Sequence, residues 1–213
     1  MRLSRRLGLF LFVGVLVGSS SCSSVKTRTV VLLPESTSTV SQSDSDHAGF
    51  PCVFLGTPTA CSTVGADPGF GRTRVGYAKA FSSGFCWAWV SCKKRGYMTF
   101  DLAPVTGREV VAATLRYRAD LVISGGIPMS CARKLYLSGG AGGWESLGEP
   151  ISSDLPDGPA NFVPVNGAVR DWAAGRAVNH GFVFVGSEDY PNERNDQCLS
   201  VLHDFTLEVQ FRE

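Results

Sequence analysis

Apolar and polar residues alternate most regularly between Gly96 and Ile123, in the stretch GYMTFDLAPVTGREVVAATLRYRADLVI. Met98, Phe100 and Leu102 fall on one face of an extended chain, and Tyr97, Thr99 and Asp101 on the other. After a break at Pro104, Thr106 and Gly107, Leu115, Tyr117, Ala119, Leu121 and Ile123 share a face opposite Thr114, Arg116, Arg118 and Asp120. A period of two held this long, with β-branched and aromatic residues, predicts two long half-buried antiparallel strands joined by a turn-rich loop. The same reading places strands at Val30 to Leu33, Arg72 to Tyr77, Lys134 to Leu137, Asn161 to Val165 and Phe205 to Phe211, with another starting over Thr37 to Val40. The run GFVFVG, Gly181 to Gly186, has the unbroken apolar character of a strand buried on both faces. One helix is predicted at Gly167 to Gly175, where Val165, Val169 and Trp172 lie on one helical face and Gly175 suits the end. Ser41 to Asp46, Gly49 to Gly71, the approach to Gly96 and the run SGGAGGWESLGEP read as turns and loops. Short strands, one helix, no βαβ rhythm and a chain carrying 24 glycines and 11 prolines together predict an all-β fold, an antiparallel β-sandwich of jelly-roll type.

The first residues follow a different pattern. Arg2, Arg5 and Arg6 precede an apolar run, Leu7 to Val17, that is too short to span a bilayer. Small residues and Cys22 come next. This resembles a bacterial lipoprotein signal in which Cys22 becomes the acylated N-terminus, although Ser19 stands where that signal usually has leucine. An ordinary secretory peptide cleaved near the same serines is the alternative. Residues 1–21 are therefore read as a signal peptide, 22–29 as a tether and 30–213 as a single β-sandwich domain, exported to a bacterial cell envelope and either lipid-anchored or secreted. Of 20 basic residues, three lie in the signal, so 17 face 19 acidic residues, a net charge of −2. Such a balance offers no electrostatic footprint for nucleic acid, and contact with a membrane is expected only through a lipid anchor.

The chain has seven cysteines, and assigning Cys22 to lipid leaves six: Cys52, Cys61, Cys86, Cys92, Cys131 and Cys198. Their spacing lacks the paired CxxC pattern of a zinc site, so disulfides in an oxidising compartment are the expected chemistry. Six cysteines allow about fifteen pairings. Local staples Cys52–Cys61 and Cys86–Cys92 with a long-range Cys131–Cys198 bridge are favoured. The second pair carries a geometric condition. Six residues of straight strand would hold Cys86 and Cys92 about 20 Å apart, so that bridge requires FCWAWVSCK to bend back on itself.

The stretch RGYMTFDLAPVTGREVVAATLRYRAD resembles the core of DNRLRE-type domains, bacterial extracellular jelly-roll modules related to carbohydrate-binding modules. VVLLPESTSTVSQ, RTRVGY, GGWES and VNGAVRDWAAGRAVNHGFVFVG agree with it in order, from about Val30 to Phe211. The C-terminal QCLSVLHDFTLEVQF and the six cysteines depart from the family pattern, which suggests a divergent, disulfide-bearing branch. The resemblance implies a non-catalytic surface or secreted domain, polysaccharide-binding in some members, and transfers no ligand-binding residue.

Candidate chemistry is sparse. Phe85, Trp87 and Trp89 would share one face of a strand, either as a stacking platform for pyranose rings or as a satellite core under the disulfide loop. Trp144, in a glycine-rich loop, is a second candidate platform or a cover over a sheet edge, and Tyr190 in SEDYPNERND a third contact. Trp172 reads as core. Asp44 and Asp46 in one polar loop and Glu188 and Asp189 in another supply hard oxygen ligands suited to a structural calcium, without the spacing of an EF-hand. No cofactor is otherwise implied. His47, His180 and His203 are scattered, and no HExxH, GxSxG, P-loop or dinucleotide fingerprint occurs, so an enzyme is not expected. The reading is a module that binds extracellular polysaccharide through surface aromatics; alternatively, it is a structural or adhesion module that engages another envelope protein.

Overall fold

The computed structural model describes residues 26–44, 69–83, 87–125, 132–140, 143–144, 146–186 and 197–213. They form strands β1 (Thr27–Leu32), β2 (Pro34–Asp44), β3 (Arg72–Ser83), β4 (Trp87–Phe100), β5 (Val110–Gly125), β6 (Arg133–Leu137), β7 (Ser152–Leu155), β8 (Gly158–Pro164), β9 (Phe182–Val185) and β10 (Gln197–Arg212), with a 3-10 turn at Ala103–Val105 and one helix, α1 (Asn166–Ala173). Every described pairing is antiparallel. The chain is an all-β sandwich with one short helix.

One layer runs β1 and β3 on one edge of β10, then β5, then β8; the other runs β2 on one edge of β4, then β9, β6 and β7 on the opposite side. The two long strands anticipated around Gly96 to Ile123 are present, but they lie in opposite layers and do not pair. Met98, Phe100 and Leu102 meet Leu115, Tyr117 and Ala119 across the core between them. Leu121 follows the same alternation yet is 46% exposed, because β8 stops opposite Ala119 and leaves the end of β5 uncovered. The helix forms where expected. It lays Val169, Trp172 and Ala173 over one end of the core, with the Trp172 ring 5.0 Å from Phe182.

The layers are joined through β3. Its first half, Arg72 to Tyr77, pairs with β10, and its second half, Gly76 to Ser83, pairs with β4. Along that edge of β4, β9 occupies Arg95 to Met98, and β3 takes over at Lys94. Two backbones must therefore cross at one point, and glycines stand there. Gly76 has φ +122°, and a Cβ on it would overlap the Cys198 carbonyl, while a Cβ on Gly186 would lie 2.6 Å from Gly76 Cα. On the other flank, where β2 and β3 meet without a ladder, hydroxyls substitute for it. The Gly71 amide donates to Thr37 Oγ1 (2.8 Å), the Arg74 amide to Thr39 Oγ1 (2.9 Å), and the Thr73 hydroxyl to the Ser38 carbonyl (2.8 Å).

Four boundaries differ from the sequence reading. β1 begins at Thr27, inside the stretch expected as tether. β2 continues through Ser41 to Asp44 in place of the expected turn, because pairing with Lys94 to Ser91 satisfies the backbone of this polar run. The glycine- and aromatic-rich approach to β4 is not a loop but a long ribbon, with Ser83 opposite Trp87. β7, with Ser153 and Asp154 exposed, has too few apolar residues to show a period.

Gly76→Ala is predicted to destabilise the fold by about 3 kcal/mol or more, since it combines strain at positive φ with backbone overlap. Gly69→Ala, also at positive φ but in open space, should cost about 1 kcal/mol. Denaturant unfolding of the two variants under non-reducing conditions checks the difference; equal losses would show that the crossing is not tight.

Candidate functional site

The two ends of the sandwich differ in kind. One end is finished by α1, the 3-10 turn and both described termini: the Glu213 amide donates to the Lys26 carbonyl at 3.1 Å, and the Gly107 amide to the Ala173 carbonyl at 2.8 Å. At the other end β2 stops at Asp44, β5 at Gly125 and β9 at Val185, while β6 and β10 start. There the β3–β4 ribbon runs on alone among the described residues. β10 leaves it at Tyr77 and β2 at Ser91, but the ladder continues through Ala80–Val90, Phe81–Trp89, Ser82–Ala88 and Ser83–Trp87. From Lys79, opposite Ser91, to Ser83 this is about 13 Å of projecting strand.

Both described cysteines lie at this end. Cys92 and Cys198 are both disulfide-bonded and buried. Trp87 to Cys92, the described part of the stretch that would have to bend for the expected Cys86–Cys92 staple, is unbroken strand paired residue for residue with Ser83 to Ala78. Cys22, Cys52, Cys61, Cys86 and Cys131 lie outside the described residues.

Beneath the ribbon the core ends in a polar row. Lys134 and Arg95 both oppose Val185 on β9, so one step further along the strands Arg133 and Lys94 flank Gly186. Both side chains point inward and are buried, Arg133 at 1% exposure and Lys94 at 2%. Arg133 Nη1 donates to Asp157 Oδ1 (2.7 Å) and to Ser200 Oγ (3.0 Å), and the Ser200 hydroxyl donates to Asp157 Oδ1 (2.7 Å). These three groups tie β6 in one layer to β10 in the other and to the β7–β8 connection. The Tyr117 hydroxyl lies beside them. Burial pushes its pKa up to about 12; the Arg133 guanidinium, by charge and by its N–H groups, pulls the other way, and Asp157 adds slightly to the rise. Pattern reading missed this cluster because Arg133 and Ser200 interrupt apolar alternation with polar residues, and only the tertiary fold brings them to Asp157.

The sequence-predicted site residues separate as follows. Trp87 and Trp89 lie on the projecting ribbon, with Trp89 opposite Phe81. Trp144 is elsewhere. It is half-buried on the outer face of the β4–β9–β6 layer, with the Arg95 guanidinium 4.2 Å over its ring. Gly143 next to it accepts a hydrogen bond from the Tyr97 hydroxyl. The guanidinium already covers one face of the ring; nearby, Tyr97 forms a second small core with Val183 and Val185, against which Val40, Tyr136 and Leu147 pack. Asp44, at the end of β2, is opposite Ser91. Phe85, Asp46, Glu188, Asp189 and Tyr190, like His47, lie outside the described residues. His180 packs against Gly140, where any Cβ would meet its ring. His203 sits on the outer face of β10, its Nε2 2.9 Å from Asp120 Oδ2 and its Nδ1 3.2 Å from Asp204 Oδ2. Among the described residues no group of three or more His, Cys, Asp or Glu side chains is arranged to hold a metal ion, and no helix is long and apolar enough to cross a membrane. The chain matches no family model and no curated protein.

Two outcomes follow from the buried cluster. Asp157→Ala leaves the Arg133 charge without its carboxylate and should cost about 3 kcal/mol or more, whereas Arg133→Met, which leaves only a part-exposed Asp157 to rehydrate, should cost less than half of that. Unfolding curves of the two variants check the order; a larger loss from Arg133→Met would reverse it. Tyr117 holds its proton more tightly folded than unfolded, so its contribution is full below pH 10 and is lost as pH rises toward 12. Stability should therefore fall by about 2–3 kcal/mol over that window, and Tyr117→Phe should flatten this branch when unfolding is followed at fixed pH values.

Proposed function

We propose that this chain is an exported, non-catalytic cell-envelope module that binds extracellular glycan at its cysteine-rich end and is held to a membrane by lipid on Cys22. The observation that carries the reading is the opposition of the two ends. Lys26 and Thr27, which follow the tether, sit beside Arg212 and Glu213 at the closed end. The ribbon bearing Trp87 and Trp89 leaves from the other end, 14 residues back along β10 from Arg212 to Cys198, or roughly 46 Å of strand. A lipid on Cys22 would then point the ribbon away from the bilayer, where a polymer can reach it. Tryptophans two residues apart on a two-stranded ribbon give the spacing that stacking on successive apolar sugar faces requires. Trp144 and a calcium at Asp44, Asp46, Glu188 and Asp189 are not needed for it.

The test is a glycan-array screen of residues 23–213 beside a Trp87→Ala, Trp89→Ala variant. Saturable binding that the double variant loses by tenfold or more, with its fold intact by circular dichroism, is the expected result. Binding that survives in the variant would move the site off the ribbon. Absence of binding to any glycan, with and without calcium, would instead favour engagement of another envelope protein.

A further inference from the structure

We infer that the closed end of the sandwich is a docking face for anionic phospholipid headgroups of the bilayer that holds Cys22, so that the protein stands on the membrane instead of swinging from its tether. Docking in this form presupposes the lipid on Cys22 proposed above.

Charge is spread unevenly along the long axis. The exported chain as a whole is slightly acidic, with 17 basic residues against 19 acidic ones, yet its closed end is basic. Lys94 on β4 and Leu199 on β10 stand at one level, both opposite Gly76. From there β4 runs six residues to Phe100, whereas β10 runs thirteen to Arg212. The end face is therefore built around the foot of β10. Glu109 flanks it on one side, where its carbonyl accepts from the Arg212 amide at 3.0 Å, and Lys26 flanks it on the other. The Gly107 turn and the end of α1 close the face beside them.

Three carboxylates belong to this face, and each is held by an arginine. Glu213 pairs with Arg28, Glu109 with Arg212 at 2.7 Å, and Asp171 with Arg176 at 2.6 Å. Lys26, Arg108 and Arg170 are exposed and have no carboxylate partner among the described residues. The backbones of Lys26 and Arg108 lie on opposite flanks of β10, two strand spacings or about 10 Å apart. Arg170 is held close to them, its Nε donating to the Val110 carbonyl at 3.2 Å. Glu35 and Asp101 lie beside Phe100 and Pro34 at the foot of the shorter layer, roughly 20 Å back along the strands. That is more than two screening lengths of about 8 Å at physiological ionic strength.

Chain length commits this face to the bilayer. Four steps of chain join Cys22 to Lys26, and they span at most about 14 Å. With Cys22 acylated, the closed end cannot retreat from the headgroups by more than that. The negative potential of an anionic leaflet reaches about one screening length and favours each Lys or Arg brought into it by roughly fivefold. Three unneutralised cations at the root of a short tether thus favour one orientation of the sandwich, with the open end directed away from the surface.

The test uses the acylated chain on vesicles of phosphatidylcholine, alone or mixed with phosphatidylglycerol. Mass spectrometry of the N-terminal peptide first establishes the lipid on Cys22, and phenylglyoxal modification of arginines is then followed peptide by peptide. Arg108, remote in sequence from the tether, should react about fivefold or more slowly on the mixed vesicles than on phosphatidylcholine. Arg118, exposed on the outer face of β5, should keep one rate on both. Salt at about 1 M should abolish the difference, and Lys26→Glu should restore most of the Arg108 rate while leaving that of Arg118 unchanged. Equal Arg108 rates on the two vesicles, with lipid present on Cys22, would overturn the docking and leave the anchor standing. A chain without lipid on Cys22 would overturn anchor and docking together, while glycan binding keeps its own assay.

Discussion

The geometry depends on a crossing of backbones at Gly76 and Gly186. A long strand has two edges, and β4 uses one of them twice, for β9 below Lys94 and for β3 above it. That handover is possible only if the departing and arriving chains pass closer than side chains allow, and a Cβ on either glycine would meet backbone. From it come both properties of the open end. β3 changes layers there and joins the two sheets, and above it β3 and β4 continue as a ribbon that β10 and β9 no longer accompany.

The polar row below the crossing follows from the same constraint. Where β9 leaves the edge of β4, the core loses an apolar strand, and Arg133 and Lys94 occupy the inward positions on either side of Gly186. A buried guanidinium requires a carboxylate and further acceptors, and Asp157 and Ser200 come from the β7–β8 connection and from β10 to supply them. The cluster therefore joins both layers at the level where apolar packing thins out. Tyr117 shares that position: its ring stacks in the core beside Phe184 and Phe205, and its hydroxyl reaches the charged row.

Much of the core is legible in sequence because one-sided burial imposes a period of two. Leu115, Tyr117 and Ala119 and the Phe205–Leu207–Val209 alternation follow that rule, while β9, buried on both faces, is legible instead as an unbroken apolar run. What escapes it depends on partners distant in the chain. Leu121 keeps the period but not the burial, since exposure there is decided by where β8 ends. Tyr97 falls on the polar side of its strand's pattern and is buried, because Val40, Tyr136 and Leu147 cover a second core that no local pattern announces. Ser41 to Asp44 read as a turn from composition, but their strand is specified by the neighbouring β4 and not by their own residues. Trp87 and Trp89 are legible as a strand-spaced pair; that they ride a projecting ribbon is not, since glycine and serine around them suggest a loop.

The cysteines show what an extended strand does to closeness in sequence. Composition alone makes neighbouring cysteines the natural partners, because short loops close at small entropic cost. A strand removes that advantage. Once Trp87 to Cys92 is extended, closeness in sequence becomes separation in space. The bridge at Cys92 anchors the base of a two-stranded ribbon that would otherwise be marginal in water on its own. Its projection has the same origin as the crossing: beyond Ser91 no further strand of the described sandwich accompanies it to the tip.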